Sequence, residues 1–135
     1  MEPPRKSRRQ CVAMQMPRVG FGTYKLGVET EDCVSRALSL GYRMIDTAQI
    51  YGNEKAVGKA IVKSGLNRED IFVTSKVWRT NHGYAPTKDS VLKSLRDLGM
   101  DYIDLMLVHW PGPKTGWPLR RGTFGILQLG GRSTP

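Results

Sequence analysis

Runs of apolar residues alternate with amphipathic segments along the middle of the chain. The first run, residues 19–23, alternates apolar residues with glycine and predicts a short strand. Three amphipathic segments follow, and each predicts a helix with a capping residue or proline at its start and a glycine after its end. These boundary residues are Thr30 and Gly41, Asn53 and Gly65, and Pro86 and Gly99. The predicted buried stripes are Cys33, Val34, Ala37 and Leu38, then Ala56, Val57, Ala60 and Ile61, then Val91, Leu92, Leu95 and Leu98.

Three further apolar runs lie between and after these helices, at residues 42–46, 71–76 and 102–109. They are continuously apolar rather than alternating, which is typical of strands covered on both faces. Strand and helix therefore alternate, which predicts an α/β fold with a parallel sheet and leaves open a partial (β/α)₈ barrel or a small doubly wound sheet. A Rossmann fold is disfavoured, because Gly20, Gly22 and Thr23 do not fit the G-x-G-x-x-G spacing.

The net charge of +9 is concentrated at the two ends of the chain. Residues 1–18 and residues 114–135 each carry a net charge of +4, whereas residues 19–113 carry +1. Basic ends are more often solvated tails than binding arms, so we expect no nucleic-acid partner, although a basic-tailed nucleic-acid binder is one alternative. We expect residues 1–16 to be a basic, disordered leader and residues 119–135 to be an atypical basic, glycine-rich tail, leaving residues 17–118 as the folded domain.

Apolar runs and cysteines restrict the setting of the protein. No run is long enough to span a membrane, and no secretory signal follows the first residues, so we expect no membrane partner. The two cysteines, Cys11 and Cys33, give neither a disulfide framework nor the spacing of a metal site. We therefore expect free thiols, a cytoplasmic location and no bound metal.

Four residues with useful chemistry lie at or just beyond the ends of the predicted strands: Asp46, Tyr51, Lys76 and His109. In parallel α/β proteins these strand ends carry the active site. A lysine ammonium beside Tyr51 would stabilise the phenolate, and a carboxylate would hold that ammonium in place, so the group is a coherent general acid. His109 could donate a hydrogen bond to a carbonyl. Each residue also has an ordinary structural role, and spacing alone leaves the two interpretations about evenly matched.

Residues 17–118 resemble the first part of an aldo-keto reductase. The segments MPRVGFGTYKLG, GYRMIDTAQIYGNEKAVGKAI, NREDIFVTSKVW and LGMDYIDLMLVHWPGP are similar to that family's opening strand, its best-known signature, and its third and fourth strands. The resemblance implies a TIM barrel that reduces aldehydes and ketones to alcohols with NADPH.

The resemblance also implies a role for each site residue. Tyr51 would donate the proton, assisted by Lys76 and Asp46, and His109 would orient the carbonyl of a small-molecule substrate. The residues expected at the cofactor are Gly22, Thr23, Tyr24 and Asp46, and those expected at the substrate are Tyr24, Trp78, His109 and Trp110.

Both ends depart from the family pattern. A whole barrel of this type needs about 250 residues, whereas this chain has 135 residues and contains four predicted strands. The later segments, which in the family hold most of the cofactor, have no counterpart here, so we expect weak or absent activity. Alternatives are a non-catalytic remnant that associates with itself or with a full-length reductase through open sheet edges, and a truncated gene model without a stable product.

Overall fold

Four parallel strands, hydrogen-bonded in chain order, form a single sheet in the computed structural model, which describes residues 15–111. The strands are β1 (Phe21–Gly22), β2 (Met44–Asp46), β3 (Phe72–Val77) and β4 (Leu105–Val108). All four predicted strands are therefore present, each shorter than or slightly displaced from its apolar run. The predictions for residues 1–14 and 112–135, including nearly all of the leader and the whole tail, lie outside the described residues.

The register places the strand ends side by side. Asp46 pairs with Gly22 on one side and with Thr74 on the other. Lys76 pairs with Leu107, one residue pair before the end of the β3–β4 ladder. Because all strands run the same way, the residues that follow them emerge at one edge of the sheet.

Helices α1 (Thr30–Ser39), α2 (Glu54–Lys63) and α3 (Tyr84–Leu98) connect the strands. The predicted cap at Thr30 is wrong, because a 3₁₀ turn at Gly27–Glu29 leads straight into the helix and Thr30 is already helical. Its hydroxyl donates instead to Gly27 O at 2.7 Å. The prediction for α3 begins too late, since the helix starts at Tyr84 and accommodates Pro86 in its first turn, where a missing N–H costs little.

A single apolar core lies between the sheet and the three helices. Most of the predicted stripe residues are buried, and Cys33, Ala56 and Leu95 are partly buried. Leu92 is 41% exposed, so that assignment is wrong. Serine residues of α3, Ser90 and Ser94, are buried instead. The core residues are Val34, Leu38, Ile45, Val57, Ala60, Ile61, Ile71, Val73 and Leu98.

Helices α2 and α3 touch at a glycine. A Cβ atom at Gly58 would lie 2.0 Å from the backbone oxygen of Leu98, so only glycine allows this close approach. The contact fixes the middle of α2 against the end of α3.

The sheet order identifies the architecture. A doubly wound sheet reverses its strand order at a switch point, and the described sheet has none. Consecutive parallel strands, each followed by a helix, are the repeating unit of a (β/α)₈ barrel, and the described residues form about half of one. None of the described helices is long and apolar enough to cross a membrane.

Candidate active site

Lys76 lies at the centre of a polar cluster at the carboxyl edge of the sheet. Its Nζ is 2.7 Å from Asp46 Oδ2, 2.9 Å from Thr47 O and 3.4 Å from Tyr51 Oη. The lysine side chain is 13% exposed and that of Asp46 is 34% exposed. Three of the four predicted catalytic residues therefore meet, with the ammonium held between a carboxylate and a phenol.

Tyr51 is carried by a tight turn between β2 and α2. Residues Gln49–Tyr51 form one 3₁₀ turn, and Gly52 ends it with a φ of 68°, a conformation that favours glycine. The side chain of Gln49 donates from Nε2 to Ser90 O at 2.7 Å, which ties this turn to α3. The phenol is therefore placed by a short segment anchored at several points.

His109 follows β4 directly and completes the group. Its backbone N–H donates to Val77 O at 3.0 Å. Its ring meets Tyr51 edge-on at a centroid distance of 5.5 Å, and it meets Trp78 in the same way at 5.2 Å. All four predicted catalytic residues thus converge on one edge of the sheet.

Burial and the nearby Lys76 charge lower the pKa of His109, and the Asp46 carboxylate partly opposes this change. The lowered pKa favours the neutral imidazole, which has one N–H donor. Its Nδ1 atom is buried and finds no hydrogen-bond partner within residues 15–111. A neutral imidazole beside a phenol suits a group that donates a hydrogen bond rather than one that carries charge.

Aromatic side chains surround this cluster. Tyr24 packs on Tyr51 with ring centroids 5.0 Å apart and is 63% exposed. Trp78 is half-buried beside His109, and Trp110 is 59% exposed. The structure thus brings Tyr24, Trp78 and His109 together, whereas Trp110 lies one residue beyond His109 with its surface open. Substrate contact by these residues stays a prediction.

The predicted cofactor residues of the β1 loop differ in their availability. Gly22 is exposed, and a Cβ atom there would meet nothing within 4 Å, so the backbone is open to a ligand. Thr23 is fully buried, and its hydroxyl donates to Asp46 O at 3.3 Å. The Thr23 side chain therefore contacts the site from its buried side, and the predicted cofactor residues that remain accessible are Gly22, Tyr24 and the partly exposed Asp46.

Two polar residues after Tyr51 are buried, and the sequence interpretation missed them. Asn53 is 6% exposed, and its amide nitrogen donates to Thr23 O at 2.8 Å and to Thr30 Oγ1 at 3.1 Å. Its amide oxygen accepts from Thr47 Oγ1 at 3.1 Å. The next residue, Glu54, is 4% exposed. In the sequence the pair is typical of an exposed helix start, and nothing in its spacing indicates burial.

Within residues 15–111, no group of His, Cys, Asp and Glu side chains is arranged to hold a metal ion.

Comparison with known proteins identifies the family. The sequence profile described as "Aldo/keto reductase family" matches residues 18–128. An aldo-keto reductase of Mycobacterium avium is 50% identical over 103 residues, which is 76% of this chain and 36% of that protein. The methylglyoxal reductase DkgB of Yersinia pestis is 48% identical over 101 residues, covering 74% of this chain and 38% of that protein.

A solved structure agrees with the sequence relatives. The crystal structure of a Bombyx mori aldo-keto reductase in complex with NADP has a TM-score of 0.68 and 37% identity, covering 71% of this chain and 35% of that one. The chain therefore belongs to the aldo/keto reductase family, and it spans little more than a third of the length of the relatives it matches.

Proposed function

We propose that this chain carries the proton-transfer and carbonyl-orienting groups of a reductase that converts aldehydes or ketones to alcohols with NADPH. The observation that supports the proposal most strongly is the Lys76 ammonium, hydrogen-bonded to Asp46 and within 3.4 Å of the Tyr51 phenol. His109 lies against the same phenol.

Each residue then has a separate task. Tyr51 donates its proton to the carbonyl oxygen of the substrate, and the Lys76 cation stabilises the phenolate that is left. Asp46 keeps the ammonium charged and in place. The neutral His109 imidazole donates a hydrogen bond to the same carbonyl oxygen, which fixes its orientation.

The open β1 loop fits the nicotinamide end of the cofactor. A bound nicotinamide would supply the hydride that the carbonyl carbon receives. Gly22 offers open backbone there, Tyr24 offers an exposed ring, and Asp46 lies at the strand end beside them. The relative crystallised with NADP and the relative named as a methylglyoxal reductase support NADP(H) and a small carbonyl substrate. For the 135-residue chain alone we propose weak cofactor binding and weak turnover.

A thermal melt with and without excess NADPH tests the cofactor site. Only binding to the folded state raises stability, by about 2.7 kcal/mol when the ligand is at 100 times its Kd. We expect a cooperative transition that moves upward with NADPH. A transition that ignores NADPH would contradict the proposal for this chain.

Turnover of small aldehydes then tests the proton donor. Tyr51→Phe should lower kcat by roughly 10²–10⁴-fold, because it removes only the acidic hydroxyl. Tyr84→Phe is the matched control, since Tyr84 is 87% exposed at the start of α3 and outside the cluster. Equal activity of both variants would remove Tyr51 from the mechanism.

A second proposal concerns association rather than catalysis. In the described sheet β4 pairs on one side only, and Leu107 and Val108 are 40% and 55% exposed. An open apolar edge of this kind favours pairing with a second copy or with a full-length relative.

We also propose, from the cysteine usage alone, that the protein resides in the cytoplasm.

A further inference from the structure

Glu54 is the first residue of α2, and it is buried although the first turn of a helix usually offers a carboxylate access to water. Its side chain accepts a hydrogen bond from Ser75 Oγ at 2.6 Å. Glutamate is among the residues least often buried, unless it has a partner. The residue lies three positions after Tyr51, and the proposed mechanism does not use it.

Ser75 precedes Lys76 in β3, so the hydrogen bond from Ser75 to Glu54 acts on the residue next to Lys76. Successive side chains of a strand point to opposite faces. Ser75 therefore faces the helix layer, where Glu54 meets it, while Lys76 faces the polar cluster. The Glu54–Ser75 hydrogen bond therefore holds β3 on the face opposite to the one that carries the Lys76 ammonium.

Backbone segments and two side-chain contacts together form a closed loop that joins Tyr51, Glu54, Ser75 and Lys76. The backbone runs from Tyr51 through Gly52 and Asn53 to Glu54, the hydrogen bond passes to Ser75, and one peptide bond leads to Lys76. The ring closes where Lys76 Nζ meets Tyr51 Oη at 3.4 Å. The separation between the phenol and the ammonium is therefore set from both faces of the sheet.

The burial of Glu54 has an energetic cost that this arrangement can explain. Burial raises the pKa of Glu54, whereas hydrogen bonding from Ser75 and, to a smaller extent, from Ser94 of α3 lowers it. Asp97 and Lys93 of α3 also face this carboxyl and act in opposite directions, Asp97 raising the pKa and Lys93 lowering it. An exposed glutamate would serve the helix start as well, because the helix dipole favours a carboxylate there in either position.

We propose that Glu54 is a positioning residue, which through Ser75 holds the turn bearing Tyr51 at the correct distance from Lys76. The proposal deepens the function proposed above and rests on it for its catalytic consequence. Its structural part, the placement of the Tyr51 ring, does not need any activity.

Three variants separate positioning from general stability. Glu54→Gln keeps an oxygen that accepts from Ser75 but removes the charge. Glu54→Ala removes the acceptor, and Ser75→Ala removes the donor. If both residues act through their shared bond, Glu54→Ala combined with Ser75→Ala has the same effect as either change alone.

The first readout is NMR of the 135-residue chain. Cross-peaks between the rings of Tyr51 and His109 report the position of the phenol, and those between Trp78 and His109 serve as an internal reference that Glu54 does not touch. We expect both Ala variants to lose the Tyr51–His109 cross-peaks while keeping the reference, and Glu54→Gln to retain both. Retention of the Tyr51–His109 cross-peaks in Ser75→Ala would overturn the proposal, and so would loss of all tertiary cross-peaks in every variant that breaks the bond.

The second readout is the division of the effect between kcat and KM. Displacement of a catalytic group lowers kcat by up to about 10²-fold, and here it should leave KM for the carbonyl nearly unchanged, with Glu54→Gln close to the unmodified chain. A change confined to KM would overturn the catalytic part. If the unmodified chain has no turnover, the proposed function fails, while the NMR result still decides the placement of Tyr51.

Discussion

The two halves of the candidate site are held in different ways. Asp46 and Lys76 belong to β2 and β3, which have a hydrogen-bonded neighbour on both sides. The turn between these strands is further fixed by the buried side chains of Asn53 and Glu54. His109 and Trp110 instead follow β4, which pairs on one side within the described sheet and whose Val108 is 55% exposed.

This difference divides the site into residues that are held within the described sheet and residues whose position depends on an edge strand. The cluster of Asp46, Tyr51 and Lys76 is built from interior strands and buried polar contacts, so its geometry is already determined within residues 15–111. His109 is held by one backbone hydrogen bond and by ring contacts with Tyr51 and Trp78. We therefore expect substitutions near Lys76 to change the site more sharply than substitutions along β4.

The largest expected effect comes from Lys76→Met. The change removes the ammonium that stabilises the phenolate, so kcat for aldehyde reduction should fall roughly 10²–10⁴-fold, or about 3–5 kcal/mol. Single-turnover kinetics at saturating NADPH would measure the loss. Lys59→Met, at an exposed position of α2, is the control. Comparable rates for the two variants would show that the interior cluster does not transfer the proton.

A smaller effect is expected on stability, from the same change at two glycines. Gly58→Ala places a Cβ atom 2.0 Å from the backbone oxygen of Leu98 and should cost about 3 kcal/mol, because the backbone must move. Gly22→Ala enters open space, so the free energy of unfolding should change by no more than about 0.5 kcal/mol.

Denaturant unfolding of both glycine variants gives the comparison, and NADPH binding adds to it. If Gly22 faces the cofactor, Gly22→Ala weakens NADPH binding although stability is unchanged. A Gly58→Ala chain as stable as the unmodified one would disprove the tight contact between α2 and α3.

The titration midpoint of His109 reports the electrostatic coupling between the two halves of the site. Burial and the Lys76 charge lower the pKa of His109. Lys76→Met should therefore raise the NMR titration midpoint of the His109 ring, and Asp46→Asn should lower it further. A midpoint that neither substitution moves would show that His109 is electrostatically separate from the cluster.

The sign of the accompanying stability change follows from the same shift. Between the folded and unfolded pKa values of His109, the unfolded chain binds more protons than the folded one. The contribution of His109 to stability is therefore complete above the unfolded value and is lost as the pH falls toward the folded value. Unfolding measured across this acidic window should show the decrease, and a chain with Lys76→Met should show less of it.

The smallest effect on stability is expected at the edge strand. Val108→Lys replaces an exposed side chain and should change the free energy of unfolding by less than about 0.5 kcal/mol. It should nevertheless reduce self-association, because charges on edge strands oppose strand pairing. Sedimentation velocity would measure this against Val62→Lys, an equally simple change on the outer face of α2, where Val62 is 75% exposed. Equal association of the two variants would place the contact elsewhere.

Periodicity located the elements well, and it was less accurate at their boundaries. The four strands and three helices lie where the apolar pattern predicts them, because burial on the sheet and on one helix face imposes that pattern. The prediction of Thr30 as a helix cap is wrong because the preceding 3₁₀ turn at Gly27–Glu29 continues directly into the helix. The prediction for Leu92 is wrong because α3 buries Ser90 and Ser94 instead.

The sequence by itself determined the alternation of strands and helices, and the resemblance of its motifs pointed to Asp46, Tyr51, Lys76 and His109. These properties are local, since they depend on residue types, spacing and strand ends. Tertiary structure alone decided that Thr23 and Asn53 are buried against the site, that Glu54 is hydrogen-bonded to Ser75, and that the pKa of His109 is lowered. Each of these depends on which distant side chains meet and on how much water they exclude. The hydrogen bond of Asn53 to Thr23, for example, joins residues 30 positions apart, and that of Ser75 to Glu54 joins residues 21 positions apart.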